Sequence, residues 1–206
     1  DRYKDLAGYA NSELLINLAK KVDQLSNRML VQSKSYDQLA KLAARKNEML
    51  ASIPAIQPVS NRDLKRMASG FGYRIHPIYK TRKMHTGMDF SAPVGTEIYA
   101  TGNGKVIKAE YDRGYGYHVI IDHGFGYQTL YGHMSKITVK RGAEIKRGEG
   151  IGLIGNSGTS TAPHLHYEVI KNVKKINPVN LYFNDLSPEE YDKVLEIASQ
   201  SNQSFD

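Results

Sequence analysis

Apolar residues recur every three or four positions through the first 53 residues of the chain. One seam holds Leu15, Val22, Met29, Tyr36, Ala43 and Leu50; the other holds Leu18, Leu25, Gln32, Leu39, Lys46 and Ile53. Ten of these twelve positions are apolar, and Gly8 is the only Gly or Pro before Pro54. A spacing of 3.5 residues is that of a heptad, so residues 1–53 are expected to form one long amphipathic helix. Helices much longer than about 25 residues are most often coiled coils, which favours pairing with a partner helix or a second copy over packing on the chain's own domain. Pro54 and Pro58 end the helix and open a linker over 54–69. Within it, Arg62–Ala68 reads as a short helix capped by Asn61.

From Gly70 to Phe183 the period changes. Glycines punctuate short β-branched and aromatic runs such as Lys105–Ala109, His118–Asp122, Tyr127–Tyr131 and His166–Ile170. Residues 70–183 are therefore expected to be an all-β domain, a twisted antiparallel sheet with tight turns. An internal echo links Gly95-Thr96-Glu97-Ile98 and Gly104-Lys105-Val106-Ile107 to Gly142-Ala143-Glu144-Ile145 and Gly150-Ile151-Gly152-Leu153-Ile154. It suggests duplicated hairpins packed on each other. In the last segment, 184–206, Ser187-Pro188-Glu189-Glu190 combines an N-cap serine, a proline at the first helical position and a glutamate three residues after the cap. A short C-terminal helix is expected to run to Ser199, followed by a disordered tail.

Charge divides the chain along the same lines. The net charge of +7 splits into about +3 over residues 1–59, about +8 over 60–186 and about −4 over the tail. A basic central domain suits an anionic partner, although a solvated basic surface gives the same balance. The absence of cysteine excludes disulfides and thiolate metal sites. No apolar run reaches the roughly 18 residues of a membrane span. Because the chain starts at Asp1, it is expected to be a fragment or a processed product, with a membrane anchor possible upstream.

The chemistry concentrates in three strings: His85-Thr86-Gly87-Met88-Asp89, Tyr131-Gly132-His133-Met134-Ser135 and His164-Leu165-His166. His164 and His166 are two apart, so a strand places both on one face. Pro163 disfavours a helix before them. The four-residue spacing of His85 and Asp89 suits one face of either a helix or a strand, and Gly87 favours extended chain. One histidine taken alone is ordinarily a polar surface residue or a ring bonded to backbone. Four histidines and an aspartate on rigid strands or their edges are harder to dismiss, and they exceed what one metal ion needs. A hydrolytic zinc site wants three protein ligands, an open position and further groups to move protons. The ordinary reading is retained for His118 and His123; His76 lies just upstream of the first pair. The loop Gly155–Pro163 lacks a Gly-Lys-Ser/Thr ending and a following helix, so it reads as a tight loop delivering His164 rather than a phosphate cradle.

With these motifs the chain resembles the LytM/lysostaphin-type zinc metallopeptidases of the bacterial envelope. The resemblance is carried by His85-x3-Asp89, His164-x-His166, Gly-Phe-Gly-Tyr-Arg-Ile-His-Pro at 70–77, Ala-Pro-Val-Gly-Thr at 92–96, Leu-Tyr-Gly-His-Met-Ser at 130–135 and the run 155–166, and it covers residues 70–183. It implies one Zn2+ per chain held by His85, Asp89 and His166. His133 and His164 stay off the metal as an acid–base pair, serving where no His-Glu-x-x-His glutamate exists. The stretch with Arg74 and His76 would line the substrate groove, and Tyr79 is the candidate for an oxyanion-stabilising tyrosine. The implied activity is endopeptidase cleavage of peptidoglycan cross-links or bridges by zinc-activated water. The implied location is the bacterial cell envelope, and no nucleic-acid partner is expected.

Two other readings compete. Degenerate relatives activate a wall amidase through their coiled coil, but they have usually lost ligands that this chain keeps. Two histidines and a carboxylate also serve non-haem iron oxygenases, for which His133 and His164 are superfluous. The helix itself suits a spacer, a dimerisation element or an autoinhibitory lid.

Overall fold

The computed structural model describes residues 11–60, 66–75 and 82–182. The expected C-terminal helix, His76 and Tyr79 lie outside the described residues. The chain divides into two compact units, one ending at Glu48 and the other starting at Met49.

The first unit is the body of helix α1 (Ser12–Ser52), 41 residues in all, equivalent to roughly 60 Å of helix at ~1.5 Å per residue. The described part of the 3.5-residue pattern thus emerges as one continuous helix. Leu18, Val22, Leu25, Met29, Tyr36 and Leu39 along its seams are exposed. No helix among the described residues is long and apolar enough to cross a membrane.

The second unit opens on the end of α1. The last turn contains no basic residue of its own. Arg147 supplies the missing cation from elsewhere: its Nη2 donates to the carbonyls of Leu50, Ala51 and Ile53 at 2.5, 3.0 and 2.9 Å. This satisfies carbonyls that a helix end leaves without partners. The proline-containing segment that follows lies against the sheet. Ala55 and Val59 are buried, Ala55 N–H donates to Thr101, and Tyr99 N–H donates to Pro58.

Twelve strands follow among the described residues. They are β1 (Arg66–Ser69), β2 (Gly72–Ile75), β3 (Arg82–His85), β4 (Met88–Ser91), β5 (Glu97–Tyr99), β6 (Gly104–Asp112), β7 (Gly116–Gly124), β8 (Tyr127–Ile137), β9 (Glu144–Ile145), β10 (Gly150–Ile154), β11 (Leu165–Lys171) and β12 (Lys174–Ile176). A 3-10 turn, Pro178–Leu181, closes the described chain. The main sheet runs β1-β4-β11-β8-β7-β6-β9. β10 bridges β5 and β8, β12 pairs with β11, and β2 and β3 form a separate two-stranded ribbon. All these pairings are antiparallel. The expected antiparallel β domain behind a long helix is what forms.

The internal echo has a structural counterpart. β5 pairs with β10, and β6 pairs with β9. The two similar segments are thus joined crosswise, each half of one bonding to the opposite half of the other. The short helix expected over Arg62–Ala68 is corrected where it is described. Arg66–Ser69 is strand β1, with Arg66 opposite Ser91 and Met67 opposite Phe90. Ladder hydrogen bonds to β4 outweigh the weak local helical preference.

The core lies beneath the site. Met88, Phe90, Leu165, Tyr167 and Val169 from β4 and β11 pack with Val119 and Ile121 of β7, and with Tyr131 and Met134 of β8. Alternation along β4 and β11 is what leaves Asp89 and His166 on the other face. Tyr131 and Tyr167 are fully buried, and their hydroxyls meet at Thr101 Oγ1, 3.0 and 2.9 Å away.

Candidate metal centre

His85 ends β3, and Asp89 is the second residue of β4. The bend between them passes close to β11: a Cβ on Gly87 would lie 2.4 Å from the carbonyl oxygen of Tyr167. Only glycine lets the chain turn there without displacing the sheet. On β11, His166 stands directly opposite Asp89 of β4 and Gly132 of β8. His164 sits two residues earlier, held by a single bridge to Gly155.

His133 reaches the same place by a different device. Tyr117 pairs with Met134 and Val119 with Tyr131, so β8 carries one residue more than β7 across this interval. His133 adopts a left-handed backbone with φ 57° within that bulge. Bulges re-aim a side chain, and non-glycine residues in this conformation cluster at functional sites.

Five of the expected site residues are therefore brought together, and all five are buried. His85 Nε2, Asp89 Oδ1 and His166 Nδ1 form a triangle with sides of 3.1, 3.1 and 2.9 Å. They are the group among the described residues placed to hold a metal ion. The His133 and His164 rings lie 4.7 Å apart, and the His133 and His166 rings 5.9 Å apart. His164 Nε2 is 3.8 Å from Asp89 Oδ1. Arg74, on β2, is buried and lines the adjoining groove with Lys83, Thr86, Tyr115 and Thr159.

Hydrogen bonds define which ring nitrogens carry protons. A carbonyl can only accept. His85 Nδ1–H therefore donates to Gly70 O at 2.8 Å, His133 Nδ1–H to Ser157 O at 2.8 Å, and His164 Nδ1–H to Ala162 O at 2.8 Å. In each neutral ring Nε2 is then the basic nitrogen. His166 is reversed: its Nε2–H donates to Glu168 Oε1 at 3.2 Å, which leaves Nδ1 basic. Burial would raise the Glu168 carboxyl. The hydrogen bond from His166, with hydrogen bonds from Lys175 and Thr86, outweighs it and holds the group down to about 2. Glu168 is thus a carboxylate acceptor.

This bonding is the test of whether a metal fits. Two imidazole nitrogens, each the basic one when its ring is neutral, and an aspartate oxygen face one another at about 3 Å, the convergence of donors that a cation needs. Asp89 Oδ2 is also buried without a hydrogen-bond partner. Tetrahedral zinc with ligands at ~2.0–2.1 Å has ligand–ligand edges of roughly 3.3 Å, close to the triangle found here. The donor set and its outer hydrogen bonds suit zinc.

Three contributors were not anticipated from the sequence. Glu168 shares a strand face with His166, an i, i+2 relation legible in principle. Tyr115, at the tip between β6 and β7, lies against His166 with ring centroids 5.7 Å apart and donates its hydroxyl to Glu168 Oε1 at 3.1 Å. Burial and then the Glu168 charge raise its pKa. Lys175 donates to both groups. The two remaining described histidines play other parts. His123 Nδ1–H donates to Asn103 O at 2.8 Å, and its Nε2 meets Thr129 Oγ1. His118 Nδ1–H donates to Gly116 O at 3.0 Å.

A β domain with a buried His-Asp-His triangle and two further inward imidazoles defines a metallopeptidase-type centre. Residues 83–178 match Peptidase family M23. The chain is 35% identical to a variant of the catalytic domain of the prophage-encoded M23 protein EnpA from Enterococcus faecalis. That match covers 60% of this chain and 95% of that one with a TM-score of 0.53. It is 37% identical to a zinc-containing peptidase from Vibrio cholerae over 64% of this chain and 40% of that one, with a TM-score of 0.56. It is 44% identical over 116 residues to the DD-carboxypeptidase/endopeptidase Mpg of Neisseria meningitidis, covering 56% of this chain and 27% of that protein. The chain belongs to peptidase family M23. It spans about a quarter of the length of the curated relatives it matches.

Proposed function

We propose that this chain is the catalytic part of a zinc-dependent endopeptidase that cuts peptide bonds in peptidoglycan, in the bacterial cell envelope. The observation that carries this reading is the inward convergence of basic nitrogens: two imidazole lone pairs and Asp89 in one triangle, with two further imidazoles beside it.

His85 Nε2, Asp89 Oδ1 and His166 Nδ1 would hold the metal. Zinc, when bound, supplies a Lewis acid and lowers the pKa of a bound water toward about 7. His133 and His164 do the proton work. Each has its Nδ1–H fixed by a carbonyl of the 155–163 loop, so each keeps Nε2 as a base. One of them takes the proton of the attacking water and returns it to the departing amine. Once protonated, these rings favour the negative charge that develops on the scissile carbonyl oxygen. Arg74 and Lys83 give the groove a cationic wall, which suits the carboxylates of stem peptides. Relatives named DD-endopeptidases favour a bond within directly cross-linked stems over a glycine bridge.

The exposed seams of α1 favour a partner helix or a second copy, and the helix then serves as a spacer for the catalytic unit. The deciding experiment incubates the zinc-loaded protein with purified cross-linked muropeptides and identifies products by mass spectrometry. Conversion of dimers to monomers, abolished by a chelator, is expected. Intact dimers in the presence of a zinc-loaded site would instead favour a non-catalytic activator of a wall amidase.

A further inference from the structure

Lys175 stands on β12, opposite Ile170 of β11, outside every motif that marks the site. Its ammonium donates to Glu168 Oε1 at 2.8 Å, to Tyr115 Oη at 3.0 Å and to Thr86 Oγ1 at 3.2 Å. An ammonium has three protons, so its donor capacity is filled by this one cluster. The three partners also converge on each other: Thr86 Oγ1 and Tyr115 Oη both donate to Glu168 Oε1. Glu168 is fully buried, whereas the Lys175 side chain is 35% exposed. A lysine that merely solvates a surface does not reach inward to a buried carboxylate through three bonds.

The partners belong to distinct parts of the centre. Thr86 follows His85 in the β3–β4 bend. Tyr115 lies against the His166 ring. Glu168 accepts the His166 Nε2–H. We propose that Lys175 is a positioning residue for the metal centre: its ammonium ties the β3–β4 bend, the Tyr115 tip and Glu168 into one frame that keeps His166 Nδ1 turned toward the ion. It acts through Glu168 and touches neither metal nor substrate. Without the ammonium, Glu168 and Tyr115 lose their common anchor, and the His166 ring is free to tilt about its remaining hydrogen bond. The inference rests on the zinc reading given above.

The test measures zinc affinity of the full chain at neutral pH by competition with a chromophoric chelator. Lys175→Met keeps the length of the side chain and removes the charge. Partners of this kind change metal affinity by about 10- to 100-fold, and a loss near the lower end, ~10-fold, is expected here. In a Glu168→Gln background the same Lys175→Met change is expected to have no further effect, because its route to His166 is already cut. Unchanged affinity for Lys175→Met, or equal losses in both backgrounds, would overturn the positioning role. Failure of the unmodified chain to bind zinc at all is a separate result, and it would overturn the metal reading itself.

Discussion

His85 Nε2 and His166 Nδ1 lie 3.1 Å apart, each the basic nitrogen when its ring is neutral, because the other nitrogen already donates to Gly70 O or to Glu168. Asp89 Oδ1 closes the triangle at 3.1 and 2.9 Å. With both rings neutral, such an arrangement is repulsive until a cation enters. Zinc is therefore expected to stabilise the fold by about 2.7 kcal/mol at a free concentration one hundred times its dissociation constant. Thermal unfolding with zinc and with excess chelator checks this. The expected result is a higher Tm with zinc in the unmodified chain and no zinc-dependent rise in Asp89→Asn.

Gly87→Ala is expected to damage the site and the sheet together. The added methyl meets the Tyr167 carbonyl at 2.4 Å, a backbone atom that cannot swing aside. Relief requires β4 and β11 to separate where Asp89 and His166 face each other. A stability loss of ~2 kcal/mol is expected, in the range of overpacked core positions. Denaturant unfolding of the metal-free protein measures it.

Val173 is expected to be a gain waiting to be made. Asn172 and Val173 both have positive φ, 46° and 70°, in the turn between β11 and β12, and Val173 is 95% exposed. A β-branched residue in a left-handed conformation is strained by roughly 1–2 kcal/mol, and its side chain offsets none of this through packing. Val173→Gly removes the strain at some cost in unfolded-state entropy. A net stabilisation of ~0.5–1 kcal/mol is expected from denaturant unfolding, with zinc affinity unchanged.

His123 links stability to acid. Burial, the largest influence, lowers its pKa below the ordinary value, and its hydrogen bond to Asn103 and the Asp122 charge only partly offset this. The folded state therefore favours the neutral ring, while the unfolded chain binds a proton below about pH 6.5. The stability it contributes is complete above that pH and is lost as pH falls through 6.5 toward the lowered folded pKa. Denaturant unfolding at pH 7.5 and pH 5.5 is expected to show a smaller acid loss in His123→Gln than in the unmodified chain.

The strings at 85–89, 133 and 164–166 were legible because the spacing of side chains along strands is a local property. The β texture of 70–183 was legible for the same reason. Arg66–Ser69 misled because its strand depends on an open edge of β4 some twenty residues away. The proton positions depend on backbone carbonyls of Gly70, Ser157 and Ala162, which no residue type announces. Left-handed His133 depends on a bulge opposite β7. Lys175 and Tyr115 reach Glu168 from a hairpin strand and a loop tip, contacts set by tertiary packing alone. Glu168 itself carried a signal, since it repeats the two-residue step of His164 and His166.

The division of roles among the four inward histidines is the central claim, and zinc content measured beside turnover tests it most directly. His133→Ala and His164→Ala are expected to retain one zinc per chain while losing at least about 100-fold in muropeptide cleavage. His85→Ala and His166→Ala are expected to lose both zinc and activity. A zinc-free His133→Ala protein, or a His166→Ala protein with full zinc, would contradict the account.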